Sequence, residues 1–218
     1  MREMLQRQLQ DTGAATFSAA NLNDYLNMGL QFMESAILAV DPEAFLEIST
    51  TNLVTSGDYP ELYPKPIGLI MVMKVEVDED GSGYAIASRY DNWQLDDFLR
   101  DGTSVTTPCW ADKGRWIRIY PVPTVAVADG LRLTFVPTLT MGSDTDVPDL
   151  PLALHRGIVY AARIDALGDT DEDMDAATLD TLTKKLAIIL DRIPMYYGQS
   201  HSEPDVIQVG MDHEDGWV

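Results

Sequence analysis

The chain has 218 residues, of which 45% are apolar and 23% are charged, and its 35 acidic and 15 basic residues give a formal net charge of −20. This is the composition of an ordinary globular protein with one domain or two small ones, and it excludes wholly disordered, collagen-like and coiled-coil chains. The negative charge opposes binding to phosphate backbones and to anionic lipid, so we do not expect a general nucleic-acid binder.

Cysteine content and apolar runs narrow the class further. Cys109 is the only cysteine, so an internal disulfide and a cysteine-based zinc site are excluded. No segment approaches the ~20 apolar residues that span a bilayer, and no apolar run of signal-peptide length follows the basic residues near Met1. We therefore expect a soluble protein made inside a cell, without a membrane partner.

The N-terminal part of the chain predicts helices. Residues 2–10 can form a short helix, and a longer one is predicted over residues 21–40, with Asn21 as the N-cap and apolar residues at three- and four-residue spacing. Asp41 and Pro42 then predict the start of a further helix that runs to Ile48, because Asp is a good cap and Pro fits the first turn.

The pattern becomes that of strands after Pro66. Turn-forming residues separate predicted strands at residues 67–77, 84–90, 104–110, 116–120 and 131–137, and a short helix is predicted at residues 92–99. We expect the first two strands to form a hairpin, and the turn at residues 127–130 to join the last two. Together they predict a small antiparallel β module.

A second helical region follows an acidic, proline-containing link at residues 144–151. One predicted helix places Leu152, His155, Val159, Ala162 and Ala166 on a single face. A second helix is predicted over residues 175–193, with Leu179, Leu182, Leu186, Ile189 and Ile193 on its apolar face.

The helical pattern is predicted to end at Pro194. Residues 199–218, the C-terminal arm, contain five acidic residues and no Lys or Arg. Their apolar content is too low for independent folding, so we expect a tail that stays mobile or docks elsewhere. We interpret Trp217 as an anchor into another surface.

Acidic clusters supply the strongest hint of a metal site. Asp169, Asp171, Asp173 and Asp175 have the spacing of a calcium-binding loop, but Met174 stands where that loop needs Gly. We interpret the cluster as an acidic helix start stabilised by the helix dipole.

Signals for catalysis and for cofactors are weak. Gly81 and Gly83 begin a dinucleotide-like pattern that Ile86 breaks, and no Walker-type sequence is present. His155 is predicted to be structural, and Cys109 is predicted to be a small core residue. His201 and His213 lack the close spacing of a metal-binding pair. We therefore predict no enzyme activity, no cofactor and no metal.

Aromatic residues are concentrated in the predicted β module. Tyr90, Trp93, Trp110, Trp116 and Tyr120 could form a platform for a carbohydrate or a peptide, or they could simply pack the sheet. A monomeric binding module that uses this face is the alternative function.

Four segments in fixed order carry a resemblance to a known family. They are WIRIYPVP at residues 116–123, LRLTFVP at residues 131–137, DTDVPDLP at residues 144–151 and LHRGIVYAA at residues 154–162. This succession of aromatic strand, Pro-x-Pro turn, second strand, acidic link and Ala-rich helix resembles the head-to-tail adaptor (connector) proteins of tailed bacteriophages. The match covers roughly residues 21–193.

The resemblance implies an α+β fold. Residues 1–66 and 141–198 would form a helical bundle, residues 67–140 an inserted antiparallel β module, and residues 199–218 an extended C-terminal arm.

The resemblance also implies a function as a virion structural protein at the head-tail junction, made in the host cytoplasm. Family members form a ring, commonly of twelve copies, between the portal protein and a tail, nozzle or stopper protein. The arm would bind the portal, and the residues expected to make this contact are Val206, Ile207, Val209, Met211, Trp217 and Val218.

An acidic inner wall would let DNA pass through such a ring without specific binding, because tight phosphate contacts would slow its passage. The residues expected to face the channel are Asp144, Asp146, Asp149, Asp169, Asp171 and Asp173. The alternative is that the negative charge only keeps the protein soluble.

Overall fold

The computed structural model describes residues 1–9, 17–101, 107–142, 146–169 and 176–198, and its fold is mixed α+β. The helices are α1 (Arg2–Leu9), α2 (Ala19–Leu38), α3 (Asn92–Asp101), α4 (His155–Gly168), α5 (Ala176–Leu190) and α6 (Ile193–Tyr197). The strands are β1 (Glu47–Thr51), β2 (Leu62–Pro64), β3 (Leu69–Val77), β4 (Ala85–Ile86), β5 (Ser88–Arg89), β6 (Cys109–Lys113), β7 (Trp116–Tyr120) and β8 (Leu131–Pro137). The α+β class and the predicted α1, α3, β7 and β8 are confirmed.

The chain divides into two compact units. Met1–Pro42 and the described residues from Thr140 onward form the helical unit, and Glu43–Leu139 form the sheet unit. The second unit begins before residue 67, the start of the predicted β module, because β1 and β2 pair with later strands of this unit.

Helix α2 organises the helical unit. Its N-cap is Ser18 rather than Asn21, because the Ser18 hydroxyl accepts a hydrogen bond from the backbone N–H of Asn21 at 3.2 Å. The helix packs against α4, and α1 packs on both. The buried apolar residues of α2 are Leu22, Leu26, Leu30, Met33 and Ile37.

Helices α4 and α5 contact each other, as their proximity in sequence predicts. Val159, Ala162 and Ala166 are buried, but Leu152, predicted on the same face, is 81% exposed. The reason is that Leu152 lies in a 3₁₀ turn (Leu152–Leu154), whose different period breaks the alignment with α4.

The predicted end of helical structure at Pro194 is wrong, because α6 continues to Tyr197. Pro194 stands in the first turn of α6, where its missing N–H costs no intrahelical hydrogen bond.

The predicted helix from Asp41 to Ile48 is also wrong. Residues 42–45 form turns, and Glu47–Thr51 is strand β1, which pairs antiparallel with β8 along its whole length. The Asp-Pro cap signal is local, whereas Ile48, Thr50 and Thr51 favour a strand once β8 offers a partner.

The sheet unit contains two four-stranded sheets, in the orders β1-β8-β3-β4 and β2-β7-β6-β5. Strands β6 and β7 form an antiparallel hairpin through Gly114, whereas the predicted pairing of β7 with β8 is wrong, because the two belong to different sheets. The predicted strand 84–90 is interrupted at the buried Ala87, so that β4 pairs with β3 whereas β5 pairs parallel with β6. The module is therefore not wholly antiparallel.

Two apolar clusters hold the sheet unit together. Leu95, Cys109 and Ala111 form the smaller one. The larger cluster contains Leu53, Tyr63, Val75, Val77, Trp110, Ile117, Ile119, Leu131, Leu133 and Phe135, among others.

Candidate assembly surfaces

The acids predicted to face a channel are only partly within the described residues. Asp146, Asp149 and Asp169 are exposed on the helical unit, whereas Asp144, Asp171 and Asp173 lie outside the described residues. All six arm residues also lie outside them, namely Val206, Ile207, Val209, Met211, Trp217 and Val218.

Asp169 belongs to an acidic cluster that links α2 to the C-terminal end of α4. The Tyr25 hydroxyl donates a hydrogen bond to Oδ2 of Asp169 at 3.0 Å. Burial, this bond and the neighbouring carboxylates of Asp165 and Asp24 raise the pKa of the Tyr25 phenol. Burial and the charge of Asp169 likewise raise the pKa of Asp165. Asp169 therefore holds two helices together in addition to contributing negative charge.

The sequence analysis did not find Asp24 and Asp165 as members of this cluster. Asp165 is the only acid in α4, and Asp24 is ten residues away from Glu34, the other acid of α2, so charge runs do not reveal them. Asp165 lies four residues before Asp169, and this helical spacing is the one signal that links the pair.

Asp146 and Asp149 lie on the link that leads to α4. Asp146 Oδ2 accepts a hydrogen bond from the backbone N–H of Gly142 at 2.7 Å. Desolvation raises the pKa of the Tyr197 phenol, and the charges of Asp149 and Asp41 raise it further. The charge of Asp149 in the acidic link therefore acts on Tyr197 of α6.

A groove of about 550 Å³ lies between α4 and α5 in the helical unit. We call it the α4–α5 groove. Its walls include the exposed apolar Leu152 and Ile188 and the cations Arg156, Lys185 and Arg192. Lys185 also stands over the ring of Tyr160, with 5.9 Å between the ammonium nitrogen and the ring centre. Sequence reasoning missed this groove, since its cations are spread over residues 156–192.

The sheet unit carries a larger groove, of about 720 Å³, beside the loop before β3. Ile67 at this loop is fully exposed, and Trp116 forms part of the opposite wall. The Lys65 ammonium pairs with Asp112 at 2.6 Å, which fastens the loop to the β6–β7 hairpin. The result is a second surface where an apolar side chain projects into solvent.

The five aromatic residues considered as a ligand platform do not share one surface. Trp110 is 4% exposed within the larger apolar cluster, whereas Trp93 is 62% exposed on α3. Tyr90 and Tyr120 instead flank Phe98 beside the smaller cluster. Sheet packing, the second of the two interpretations, is therefore what most of these rings do.

A buried carboxylate links β3 to β8. Glu76 is 6% exposed, and each of its oxygens accepts a hydrogen bond from Arg132 at 2.8 Å. Lys74 pairs with the same carboxylate at 2.8 Å. The Arg132 hydrogen bonds, and then those from Lys74, lower the pKa of Glu76 to about 2 despite its burial. The role is structural, because every partner is a neighbouring side chain of the same sheet.

The residues considered for catalysis have structural surroundings. Cys109 is buried, and burial raises the pKa of its thiol to about 11, which suppresses the reactive thiolate. His155 Nε2 is 3.0 Å from the backbone oxygen of Leu150, a contact that ties α4 to the preceding link. The predictions that Cys109 is a core residue and that His155 is structural agree with these positions.

The described ranges contain neither a candidate metal centre nor a membrane-spanning helix. Residues 1–9, 17–101, 107–142, 146–169 and 176–198 contain no group of three or more His, Cys, Asp or Glu side chains that could hold a metal ion. None of the helices in these ranges combines the length and apolar character that crossing a bilayer requires.

The geometry is that of a two-unit protein whose notable surfaces are open grooves and exposed apolar and charged faces, a pattern typical of proteins that assemble with others. The family model of the SU10 adaptor protein matches residues 1–202. The chain therefore belongs to this family of phage head-to-tail adaptors, and the resemblance stated from the sequence is confirmed. No curated protein matches the chain.

Family membership establishes the general role of the protein. It is a structural adaptor protein of a bacteriophage, located in the virion at the head-tail junction, and it associates with portal and tail proteins.

Proposed function

We propose that this adaptor forms a ring, of twelve copies as is common in the family, that joins the portal to a tail, nozzle or stopper protein and lines part of the DNA channel. The single observation that carries the proposal is the family match over residues 1–202, which includes both units and the start of the arm. The copies would be made in the host cytoplasm and would take up this position during assembly. The protein would act there without catalysis.

The channel role rests on charge. The chain has 20 more acidic than basic residues, and Asp146, Asp149 and Asp169 are exposed on the helical unit. Carboxylates on the inner wall would repel the phosphates of DNA. Such a wall would offer few cations for phosphate contacts, so the DNA would not bind to it. We assign this role to Asp144, Asp171 and Asp173 as well, on their position in the same acidic stretches.

A charge-reversal experiment tests the channel role. Replacement of Asp146, Asp149 and Asp169 by Lys in assembled particles is expected to slow DNA ejection, and the effect should weaken at high salt. Reversal of the exposed Asp58, Glu79 and Asp80 in the sheet unit is the matched control for a change in net charge. A ring structure that places the three acids on the outer rim contradicts the assignment.

The portal contact rests on the composition of the arm. Val206, Ile207, Val209, Met211, Trp217 and Val218 provide apolar side chains in a segment too polar to fold alone, and copies repeated around a ring would add their affinities by multivalency.

Deletion of residues 199–218 is expected to leave a folded protein that no longer joins the portal. Trp217→Ala should weaken the contact, whereas Gln208→Ala in the same segment should not, since hot spots favour large aromatic side chains. Electron microscopy of each variant mixed with portal particles is the measurement. Undiminished portal binding by the shortened chain would refute the role of the arm.

A further inference from the structure

The α4–α5 groove is unusual because it combines exposed apolar side chains with cations in a strongly acidic protein. Leu152 is 81% exposed and Ile188 is 56% exposed, so both leave apolar surface in water. Arg156, Lys185 and Arg192 contribute three of the chain's 15 basic residues to one groove. An apolar groove rimmed by cations suits an extended segment that is both apolar and acidic.

The three groove cations lack carboxylate partners in the described part of the chain. Two other exposed cations of the helical unit do have them: Arg7 pairs with Glu3, and Lys184, the neighbour of Lys185, pairs with Asp180 at 2.6 Å. None of the ion pairs among the described residues uses Arg156, Lys185 or Arg192. Their charges are therefore available to a further anionic group.

One segment of this chain has the complementary chemistry. The C-terminal arm has five acidic residues, no Lys or Arg, and the apolar side chains Val206, Ile207, Val209, Met211 and Trp217. Charge and apolar character of the arm thus both match the groove.

The groove and the arm are close to each other in the sequence. Arg192 in the groove wall directly precedes α6 (Ile193–Tyr197), and the arm begins two residues after α6 ends. The groove runs from Leu152, in the turn before α4, to Tyr160 on α4. At the helical rise per residue this distance is roughly 12 Å. The 20 residues of the arm can extend over roughly 65 Å, so reach does not limit contact.

We propose that in the unassembled chain the arm docks in the α4–α5 groove of the same molecule. The acidic residues of the arm pair with Arg156, Lys185 and Arg192, and its apolar residues cover Leu152 and Ile188. A short tether gives an effective concentration in the millimolar range, which favours the arm of the same chain over that of another copy. This inference goes beyond the portal contact, because it assigns the arm a binding site on its own chain and makes groove and portal competitors for it.

Disulfide trapping in the full-length chain tests the docking. The double variant Ile188→Cys with Gln208→Cys places one thiol in the groove and one in the arm, while the buried Cys109 stays unreactive. The matched control is Met28→Cys with Gln208→Cys, because Met28 is 48% exposed on α2 in the same unit. Non-reducing electrophoresis and peptide mass spectrometry follow disulfide formation in dilute protein under mild oxidant.

The expected result is a bond within one chain that forms much faster for the groove pair than for the control, at a rate independent of protein concentration. Equal rates for the two pairs, or bonds only between chains, would overturn the proposal. No portal is present, so this outcome is independent of whether the arm later binds the portal.

Charge reversal provides the second measurement. Arg156→Glu, Lys185→Glu and Arg192→Glu together should slow trapping about tenfold, because three attractive charge contacts are replaced by repulsive ones. Lys184→Glu, one residue away and already engaged with Asp180, should leave the rate unchanged. High salt should also slow trapping in the chain that keeps its three groove cations. This measurement involves no charge reversal, so misfolding of a reversed variant cannot explain its result. A rate that responds neither to the reversal nor to salt would refute the charge pairing.

Discussion

Gly29 in the helical unit and Gly114 in the sheet unit are glycines for opposite physical reasons. In the helical unit a Cβ at Gly29 would lie 2.3 Å from the backbone oxygen of Ile158, so glycine is present because α2 and α4 leave no room for a side chain. In the sheet unit Gly114 has a φ of +62° and nothing within 4 Å of the same position, so glycine is present because the β6–β7 turn needs a left-handed backbone. Close packing thus requires glycine at position 29, whereas turn geometry requires it at position 114.

A similar contrast holds for charged groups. The Tyr25–Asp169 contact in the helical unit is exposed, whereas Glu76 in the sheet unit is buried with two cationic partners. A buried charge that loses a partner is far more costly than an exposed one, because water cannot replace the lost contact. Acid should therefore act on the sheet unit through Glu76, whose carboxylate is buried with both cations.

The largest effect is expected from Gly29→Ala. The new methyl group would meet the backbone of Ile158 and Ala162, which cannot move as a flexible side chain would, so overpacking should cost about 3 kcal/mol of unfolding free energy. Urea unfolding measures this cost. Gly168→Ala, at the end of α4 with nothing within 4 Å, is the control and should be close to neutral. Equal stability of the two variants would show that α2 and α4 are not in close contact.

Glu76→Gln should destabilise the protein by about 2 kcal/mol at neutral pH, since hydrogen bonds to a charged group are lost. The folded-state pKa of Glu76 is lowered from 4.5 to about 2, so its contribution is complete above pH 4.5 and disappears as the pH falls towards 2. The difference in unfolding free energy between the two proteins should shrink over that interval. Glu79→Gln, exposed in the turn after β3, is the control and should leave the unfolding free energy at neutral pH nearly unchanged.

Gly114→Ala should cost about 1 kcal/mol, the usual penalty for a non-glycine residue in the left-handed region. Because the space around Gly114 is open, the loss should come from the backbone alone. Gly114→Asn, which tolerates this conformation better, should recover part of the stability in thermal unfolding. A larger loss for Asn than for Ala would contradict the turn-geometry explanation.

The smallest effect is expected from Tyr25→Phe. It removes an exposed hydrogen bond to Asp169 and should cost about 0.5 kcal/mol. In a chain that retains Tyr25, Asp169→Asn should lower the raised pKa of the Tyr25 phenol. NMR of the Tyr25 ring carbons can follow this pKa. Tyr59→Phe, in an exposed part of the sheet unit, serves as the control for stability. A phenol pKa that ignores Asp169→Asn would contradict the contact.

The sequence pattern was sufficient to predict helices and strands where local signals and tertiary packing agree. The observed β7 and β8 have the predicted bounds because their apolar and β-branched residues are continuous between turns. The sequence pattern led to a wrong prediction at residues 41–48, where the helix-cap signal of Asp41 and Pro42 competes with strand pairing to β8. The candidate acids Asp146, Asp149 and Asp169 could be chosen from charge, but Asp24 joins the cluster at Asp169 only because α2 meets α4.

The sequence by itself determined the α+β class, the acidic character, the positions of most helices and strands, and the resemblance to phage adaptors, since each depends on neighbouring residues or on ordered motifs. Only the tertiary structure decided that β7 and β8 enter different sheets, that Glu76 is buried between two cations, and that α4 and α5 enclose a cationic groove. These features join residues far apart in the chain, and their energies depend on distance and burial that local pattern does not encode.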